Sequence, residues 1–540
     1  MVARFALPNF LRGETVIFLP RFLFTKWGVW SAWTLLLVGY GVLSMATIGY
    51  LNWDGPWFLQ VSARVAAGEI LYKDIFFGVT PLSMFALAIV VKLFGPHYLI
   101  LCAYMSLIYA ASALVAFLIA DELGLGRGAA ARLSLLMLAV SSPWVTGNSA
   151  PYGPLAALFA EGCLWITLKW FRQSALQKAN IYLALAGLLA GMSFSAKQTL
   201  GVYAALAVGI ILLATSLHQK KKFGSFFQYA SIAAGGFTAA VFLALLPVAL
   251  TGGLEKYIEY GFINKRTYLE FAGQGYFEEF NYALRRFLTT PSHLSLRLLM
   301  LHGSLFPPLL ALPAWIAAIW VGIRRKSLSI NGAIAGIFVG FAFLDVFPRA
   351  SHNHTSFMLP LVWLIAEWSF ASLMTCRTWI TRLALKACES ALLLAALGMT
   401  VIALRTFQNP LYIPSPYPHF KKILLLESPD LAQQRIDSFT TLKYFVKGEN
   451  LYLSMPRASF FYLFSGISNP TPYDYPLITA FGLYGQESLI QRIESGEIPW
   501  VCLQPLPVEF VLRPAKLEDY VSQNMVKHSL PLTDCTLYHR

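Results

Sequence analysis

The sequence is poor in charge for its length. Of its 540 residues only 13% are Asp, Glu, Lys or Arg, whereas 57% are hydrophobic. A soluble domain carries about 25% charged residues, and a longer soluble chain splits into domains rather than enlarging one apolar core. The missing charge therefore indicates a surface that faces lipid. We expect a polytopic α-helical membrane protein.

Cysteine is scarce, and glycine-rich nucleotide loops are lacking. No pair of cysteines has metal-ligand spacing, and no Walker-type or Rossmann-type loop is present, so a nucleotide donor is not indicated. Cys502 and Cys535 lie in the polar C-terminal part and would pair only if that part faces an oxidising compartment. No signal peptide is indicated, because the first long apolar run is too long and lacks a small-residue cleavage site.

Long apolar runs are abundant instead. A spanning helix needs about 20 apolar residues. The candidates cover residues 28–50, 79–95, 98–120, 129–145, 151–170, 181–195, 199–217, 229–250, 298–323, 330–347, 357–375 and 383–404. Either residues 79–95 do not fully cross, or Arg127 and Arg132 lie outside. The prediction is therefore about 11–13 transmembrane helices.

Short basic clusters between these runs set the orientation. The net charge is +14, and the clusters at residues 220–222 and 324–326 are typical of cytoplasmic loops. This explanation of the charge leaves no need for a nucleic-acid partner. We expect a cytoplasmic or interfacial N-terminus over residues 1–27 and a transmembrane domain over residues 28–405. External loops are expected at residues 51–80 and 251–297.

The composition becomes that of a soluble domain at about residue 420. Leu451–Ser454, Trp500–Leu503 and Thr536–His539 are typical of short strands. Residues 487–494 and 516–525 are typical of helices, the first of them stopped by Gly496 and Pro499. We predict a small external α/β domain over residues 420–540.

Several ionisable residues fall on the same predicted external face. A cap, a snorkelling lysine or a structural histidine would explain each one alone. Together they combine carboxylates with cations, which suits chemistry on a phosphate ester: cations hold the phosphate and a carboxylate takes a proton. The carboxylates and cations are Asp54, Glu69, Asp74, Lys197, Arg349, His352 and His354.

Glu161 is a separate case, because it lies inside the apolar run at residues 151–170. A carboxylate at that depth is expensive unless it is paired or functional. It either faces a cavity as a second acid or pairs with a neighbouring helix.

The residues that follow the first apolar run resemble a known family. Asp54 is followed by Gly68, by Leu-Tyr-Lys-Asp at residues 71–74, by Pro81-Leu82 and by Leu-Phe-Gly at residues 93–95. This pattern resembles the GT-C fold glycosyltransferases, which include protein O-mannosyltransferases (family 39) and bacterial aminoarabinose transferases. Residues 462–466 and 469–471 are similar to the external domain of bacterial members. Two departures are the single Pro at Thr80-Pro81, where a double Pro is common, and Ala350, where an acidic residue often follows the Arg.

The resemblance implies an inverting transfer of a sugar from a polyprenyl-phosphate donor to an acceptor hydroxyl at the outer face. It implies Asp54 as base or acceptor anchor. The other candidate residues take roles by position and charge: Asp74 as its carboxylate partner, Glu69 and Glu161 as further acids, and Lys197, Arg349, His352 and His354 as the donor-phosphate site.

Other features of the reaction stay open. The acceptor is a lipid, a protein or a polysaccharide, and neither it nor the sugar is identified. A divalent metal ion is possible, although no motif demands one. The alternative function is a transporter or flippase of lipid-linked sugars, which usually shows internal repeats that this sequence lacks.

Overall fold

The computed structural model describes most of the chain. The described residues are 54–126, 150–173, 179–218, 223–273, 275–289, 301–325, 329–345, 359–374, 411–413, 423–425, 429–530 and 535–540, with single residues between 30 and 39, 130 and 134, and 354 and 394. The candidate spans at residues 129–145 and 383–404, and most of that at 28–50, lie outside them. Arg349 and His352 also lie outside the described residues.

The described residues contain five helices that are long and apolar enough to cross a membrane. The described helices up to residue 250 are α1 (Asp54–Ala66), α2 (Leu82–Phe94), α3 (Tyr98–Glu122), α4 (Tyr152–Arg172), α5 (Ala179–Ala196), α6 (Gln198–His218) and α7 (Phe223–Leu250). The helices that follow the second external loop are α11 (Leu312–Arg324), α12 (Ile330–Leu344) and α13 (Leu359–Met374). The five candidates are α3, α5, α6, α7 and the segment Pro307–Arg324.

Three other apolar helices are shorter. The helix α2 has 13 residues, which corresponds to a length of about 20 Å, against a hydrocarbon core of about 30 Å. A helix of that length does not cross the membrane by itself. The observation favours the first of the two alternatives for residues 79–95.

Small residues allow two of the long helices to approach each other closely. A Cβ added to Gly187 of α5 would lie 1.8 Å from the carbonyl oxygen of Ala233 in α7, and one on Gly191 would lie 2.5 Å from that of Phe237. No side chain larger than hydrogen fits at either position. Helices in lipid pack by close backbone approach of this kind, because lipid provides no hydrophobic driving force for their association.

The segment that the sequence predicts as the second external loop is helical over most of its described length. It contains α8 (Leu254–Ile258), a π-helical turn (Glu259–Ile263), α9 (Lys265–Ala272) and α10 (Tyr276–Thr289). In α10, Phe277 is 77% exposed and Leu288 is 65% exposed, whereas Ala283 is fully buried. An exposed apolar side is typical of an amphipathic helix that lies at a membrane interface.

The C-terminal residues form a small α/β unit. Its strands are β3 (Leu451–Ser454), β4 (Trp500–Leu503), β5 (Val526–His528) and β6 (Thr536–His539), preceded by a two-stranded pair, β1 (Leu411–Ile413) and β2 (Ile423–Leu425). The sheet order is β3-β4-β6-β5, with β3 and β4 parallel and the other neighbours antiparallel. Its helices are α14 (Pro429–Val446), α15 (Ala458–Ser465), α16 (Ile478–Phe481), α17 (Gly485–Glu494) and α18 (Ala515–Asn524).

The three strands that the sequence predicts are present with the predicted bounds, and both predicted helices are present as α17 and α18. The chain leaves α17 through Gly496, whose φ of +81° requires the left-handed region that glycine tolerates. Cys502 and Cys535 form a disulfide with Cα atoms 5.6 Å apart, joining β4 to the residue before β6.

The helix α1 is where the transmembrane and C-terminal parts meet. The sequence predicts helical character for residues 60–67 and a position on the membrane surface. The observed helix begins six residues earlier, at Asp54, and its Phe58 and Val61 are fully buried. The helix α1 packs against both α2 and the α15 helix of the C-terminal unit, and its position on the membrane surface stays a prediction.

Candidate active site

Asp54 is the first residue of α1. An acidic residue in the first described turn of a helix is favoured by the helix dipole. The hydroxyl of Tyr475 donates a hydrogen bond to Asp54 Oδ1 at 3.0 Å. The ring of Tyr475 stacks on Trp57, with centroids 4.8 Å apart and planes 10° from parallel. The C-terminal unit therefore contacts the residue that the sequence identifies as the candidate base.

Arg64 holds the other end of α1. It is buried, and its guanidinium pairs with Asp474 at 2.6 Å and with Glu69 at 2.6 Å. It also donates to the carbonyl oxygen of Thr471 at 3.1 Å. Burial by itself would lower the Arg64 pKa, but Asp474 and Glu69 raise it above its ordinary value, so Arg64 stays charged. Burial raises the pKa of Asp474, and Arg64 opposes that shift.

The carboxylates Glu69 and Asp74 both serve the loop that follows α1. Glu69 pairs with Arg64. Asp74 Oδ2 accepts the Ile70 N–H at 2.8 Å, and its carbonyl oxygen accepts from Arg64 at 3.2 Å. These contacts close a turn in which Tyr72 adopts a φ of +73°, which is unusual for a residue with a bulky side chain. The two side chains have structural partners here, and their catalytic roles stay predictions.

A second polar cluster lies where α5 meets α6. Lys197, the residue between these two helices, pairs with Asp345 at the end of α12. The hydroxyl of Thr199 also donates to the Asp345 carboxylate. Lys265 of α9 lies close enough to Lys197 to feel its charge: burial, and then Lys197, lower the Lys265 pKa to about 8. Lys197 and Lys265, together with the Asp345 carboxylate that pairs with Lys197, carry a net positive charge.

His354 lies beside the same external segment. A ring nitrogen of His354 is 3.1 Å from the hydroxyl of Tyr268 in α9. Tyr268 also packs against an apolar cluster that includes Phe76 and Tyr475 and is flanked by Trp57. One aromatic cluster therefore connects the surroundings of Asp54 with those of His354 and Lys265.

Glu161 lies apart from both polar clusters, within α4. Its Oε2 accepts a hydrogen bond from Ser112 of α3 at 2.5 Å. Its Oε1 is buried and has no hydrogen-bond partner among the described residues. Pairing with a neighbouring helix is thus present, and a role as second acid stays a prediction.

Sequence reasoning missed five residues of these clusters. Asp345 and Lys265 had the same signal that identified Lys197, a charge at the edge of an apolar run or in an external loop. Arg64, Asp474 and Tyr475 had none, because their partners lie more than 400 residues away along the chain.

The described residues offer no obvious metal site. No group of three His, Cys, Asp or Glu side chains converges within them. The carboxylates that they do bring together are held by cations or hydroxyls: Asp345 by Lys197 and Thr199, and Asp54 by the Tyr475 hydroxyl. The arrangement does not fit a divalent ion, and no step below is assigned to one.

The described residues combine helices long and apolar enough to cross a membrane, the helix α1 with an acidic residue in its first turn, and a C-terminal α/β unit packed on α1. The protein is a membrane protein of the GT-C fold. Two solved structures confirm this fold. The chain is similar to ArnT from Cupriavidus metallidurans bound to undecaprenyl phosphate, with a TM-score of 0.59 and 13% identity over 95% of this chain and 98% of that one. It is also similar to the Archaeoglobus fulgidus oligosaccharyltransferase, solved with zinc and sulfate.

For that second structure the TM-score is 0.51 and the identity 12%, over 93% of this chain and 72% of that one. No protein-family model and no curated protein matches the sequence. At these identities the similarity establishes the fold, and it agrees with the resemblance that the sequence shows around Asp54.

Proposed function

We propose that this protein transfers a sugar from a polyprenyl-phosphate donor to a hydroxyl of an acceptor at the outer face of the membrane. Three observations support the proposal. The fold is that of one protein solved with undecaprenyl phosphate and of another named as an oligosaccharyltransferase. Asp54 begins a helix that lies against the C-terminal unit. The excess positive charge at Lys197 and Lys265 suits a phosphate.

The cations would act on the leaving group. As the bond between the anomeric carbon and the phosphate oxygen breaks, negative charge grows on that oxygen, and fixed cations in a place of low dielectric stabilise it. Lys197 and Lys265 take this role, with His354 beside them. Arg349 and His352 belong to the same proposed phosphate site by sequence.

Asp54 would act on the acceptor. Its carboxylate accepts the proton of the attacking hydroxyl while the new carbon–oxygen bond forms at the anomeric centre. The products are the glycosylated acceptor, polyprenyl phosphate and a protonated Asp54. Attack on the face opposite the phosphate makes the reaction a single inverting displacement.

The Cys502–Cys535 disulfide supports an external position for the C-terminal unit, because disulfides persist in oxidising compartments such as the bacterial periplasm. We therefore place the protein in a bacterial inner membrane, with residues 420–540 outside. The transferred group is a hexose or pentose, and its acceptor is a lipid, a protein or a polysaccharide of the envelope.

The test is the variant Asp54→Asn, which keeps the size of the side chain and removes the base. Mass analysis of envelope glycans from cells that carry only the variant should show loss of the sugar, with normal protein levels in the membrane. The matched control is Asp437→Asn, an exposed carboxylate on α14. Wild-type glycans in the Asp54 variant would contradict the proposal. Sugar translocation into liposomes without any product would favour the transport alternative.

A further inference from the structure

We propose that the C-terminal unit completes the active site. In this reading Tyr475 positions the Asp54 carboxylate, and its neighbour Asp474 fixes Tyr475 in place through Arg64. The inference rests on the proposed function, in which Asp54 is the base.

The first step is the course of the chain along α1. Tyr475 contacts Asp54 at the start of that helix, and Asp474 contacts Arg64 near its end. Ten residues of helix separate the two contacts, which is about 15 Å. Two consecutive residues span this distance because the long side chains of Tyr475 and Arg64 cover most of it. The segment is thus anchored along the helix rather than touching it at one point.

The second step is the chemistry of the Tyr475 hydroxyl. Tyr475 is only 8% exposed, and a buried tyrosine hydroxyl needs a hydrogen-bond partner. Its acceptor is a carboxylate oxygen, which gives a stronger bond than a neutral acceptor. Together with the stacking on Trp57, this bond fixes the rotation of the carboxylate that would receive the acceptor proton.

The third step is the rigidity of the anchor. Asp474 is fully buried and accepts from Arg64 at 2.6 Å and from Asn469 at 2.9 Å. Its carbonyl oxygen accepts from Ser459 at 2.7 Å. The Phe76 N–H donates to the carbonyl oxygen of Pro472 at 2.8 Å, so a second loop segment holds the same stretch. Tyr475 is held as a positioning residue by groups from three parts of the fold.

The test compares Tyr475→Phe with Tyr473→Phe. Tyr473 lies two residues away and packs against Phe76 and Phe481, and its hydroxyl bonds Ser488. Both changes remove one hydroxyl from the same region and keep the ring. A hydrogen bond to a charged group is lost only at Tyr475, so envelope glycan product should fall by about 10- to 100-fold there. At Tyr473 it should change less than about twofold.

Two measurements on the purified full-length protein separate positioning from a structural role. The thermal shift produced by undecaprenyl phosphate should be the same in Tyr475→Phe as in wild type, since this variant leaves the phosphate site intact. Melting temperatures of Asp54→Ala, which removes the acceptor oxygen, Tyr475→Phe and the double variant should be non-additive, with the double variant losing less than the sum.

Equal product from the Tyr475 and Tyr473 variants, or additive melting temperatures, would overturn the inference. A failure of this inference can be distinguished from a failure of the proposed function. If Asp54→Asn keeps its product, the assignment of the base is wrong, and the melting-temperature cycle still decides whether Tyr475 holds Asp54.

Discussion

The ion pair between Arg64 and Asp474 offers the sharpest prediction about how the C-terminal unit is held. The change is Arg64→Met, which keeps the length of the side chain and removes its charge. The Asp474 side chain is 0% exposed and that of Arg64 is 8% exposed. Removing one partner of such a buried pair leaves the other charge unpaired and costs about 3–5 kcal/mol. The Glu69 side chain is 40% exposed, so the loss of its contact with Arg64 adds at most about 1 kcal/mol to this cost.

Amide hydrogen exchange on the purified protein measures this loss locally. The reporter is the Phe76 N–H, whose hydrogen bond to Pro472 crosses between the first external loop and the C-terminal unit. A loss of about 3–5 kcal/mol corresponds to about 10²- to 4 × 10³-fold faster exchange, if exchange follows local opening. Amides of β4 should keep their protection, because that strand is internal to the C-terminal sheet.

The control is Lys516→Met, which breaks a pair with Glu487 in which both side chains are exposed. A surface pair contributes about 0–1 kcal/mol, so exchange at Phe76 should stay within about fivefold of wild type. Wild-type protection of Phe76 in Arg64→Met would refute the reasoning, because it would mean that the buried pair does not hold the two parts together.

Three further predictions follow from other parts of the structure. The Lys265 pKa is lowered to about 8, so this lysine is cationic at about pH 7 and neutral at about pH 9. The thermal shift that undecaprenyl phosphate produces should therefore become smaller between these pH values. In Lys265→Arg, which stays charged, the part of this decrease that is due to residue 265 should disappear. Cys502→Ala with Cys535→Ala should destabilise the C-terminal unit by about 2–4 kcal/mol, seen as a lower melting temperature under non-reducing conditions, whereas an unchanged melting temperature would contradict a stabilising disulfide. Gly187→Ala should reduce the yield of folded protein in detergent, because its Cβ would lie 1.8 Å from backbone of the neighbouring helix; Gly209→Ala, in open space, should not, and equal yields would argue against this packing.

The membrane character and the small C-terminal α/β unit followed from the sequence by itself. Long apolar runs have only one environment in which they are stable, and strands such as Trp500–Leu503 have a local pattern that does not depend on distant residues. Lys197 could also be identified from the sequence as a candidate cation, because a charged residue between two apolar runs is unusual.

Only the tertiary structure decided the partners of these residues. Lys197 pairs with Asp345, 148 positions later, and Asp54 meets Tyr475, 421 positions later. No periodicity or motif encodes a contact between segments so far apart, because it depends on how whole helices and the C-terminal unit pack. The sequence identified Asp54 as a charge at a helix end, and the packing of α1 is what places the Tyr475 hydroxyl and its stack on Trp57 beside that charge.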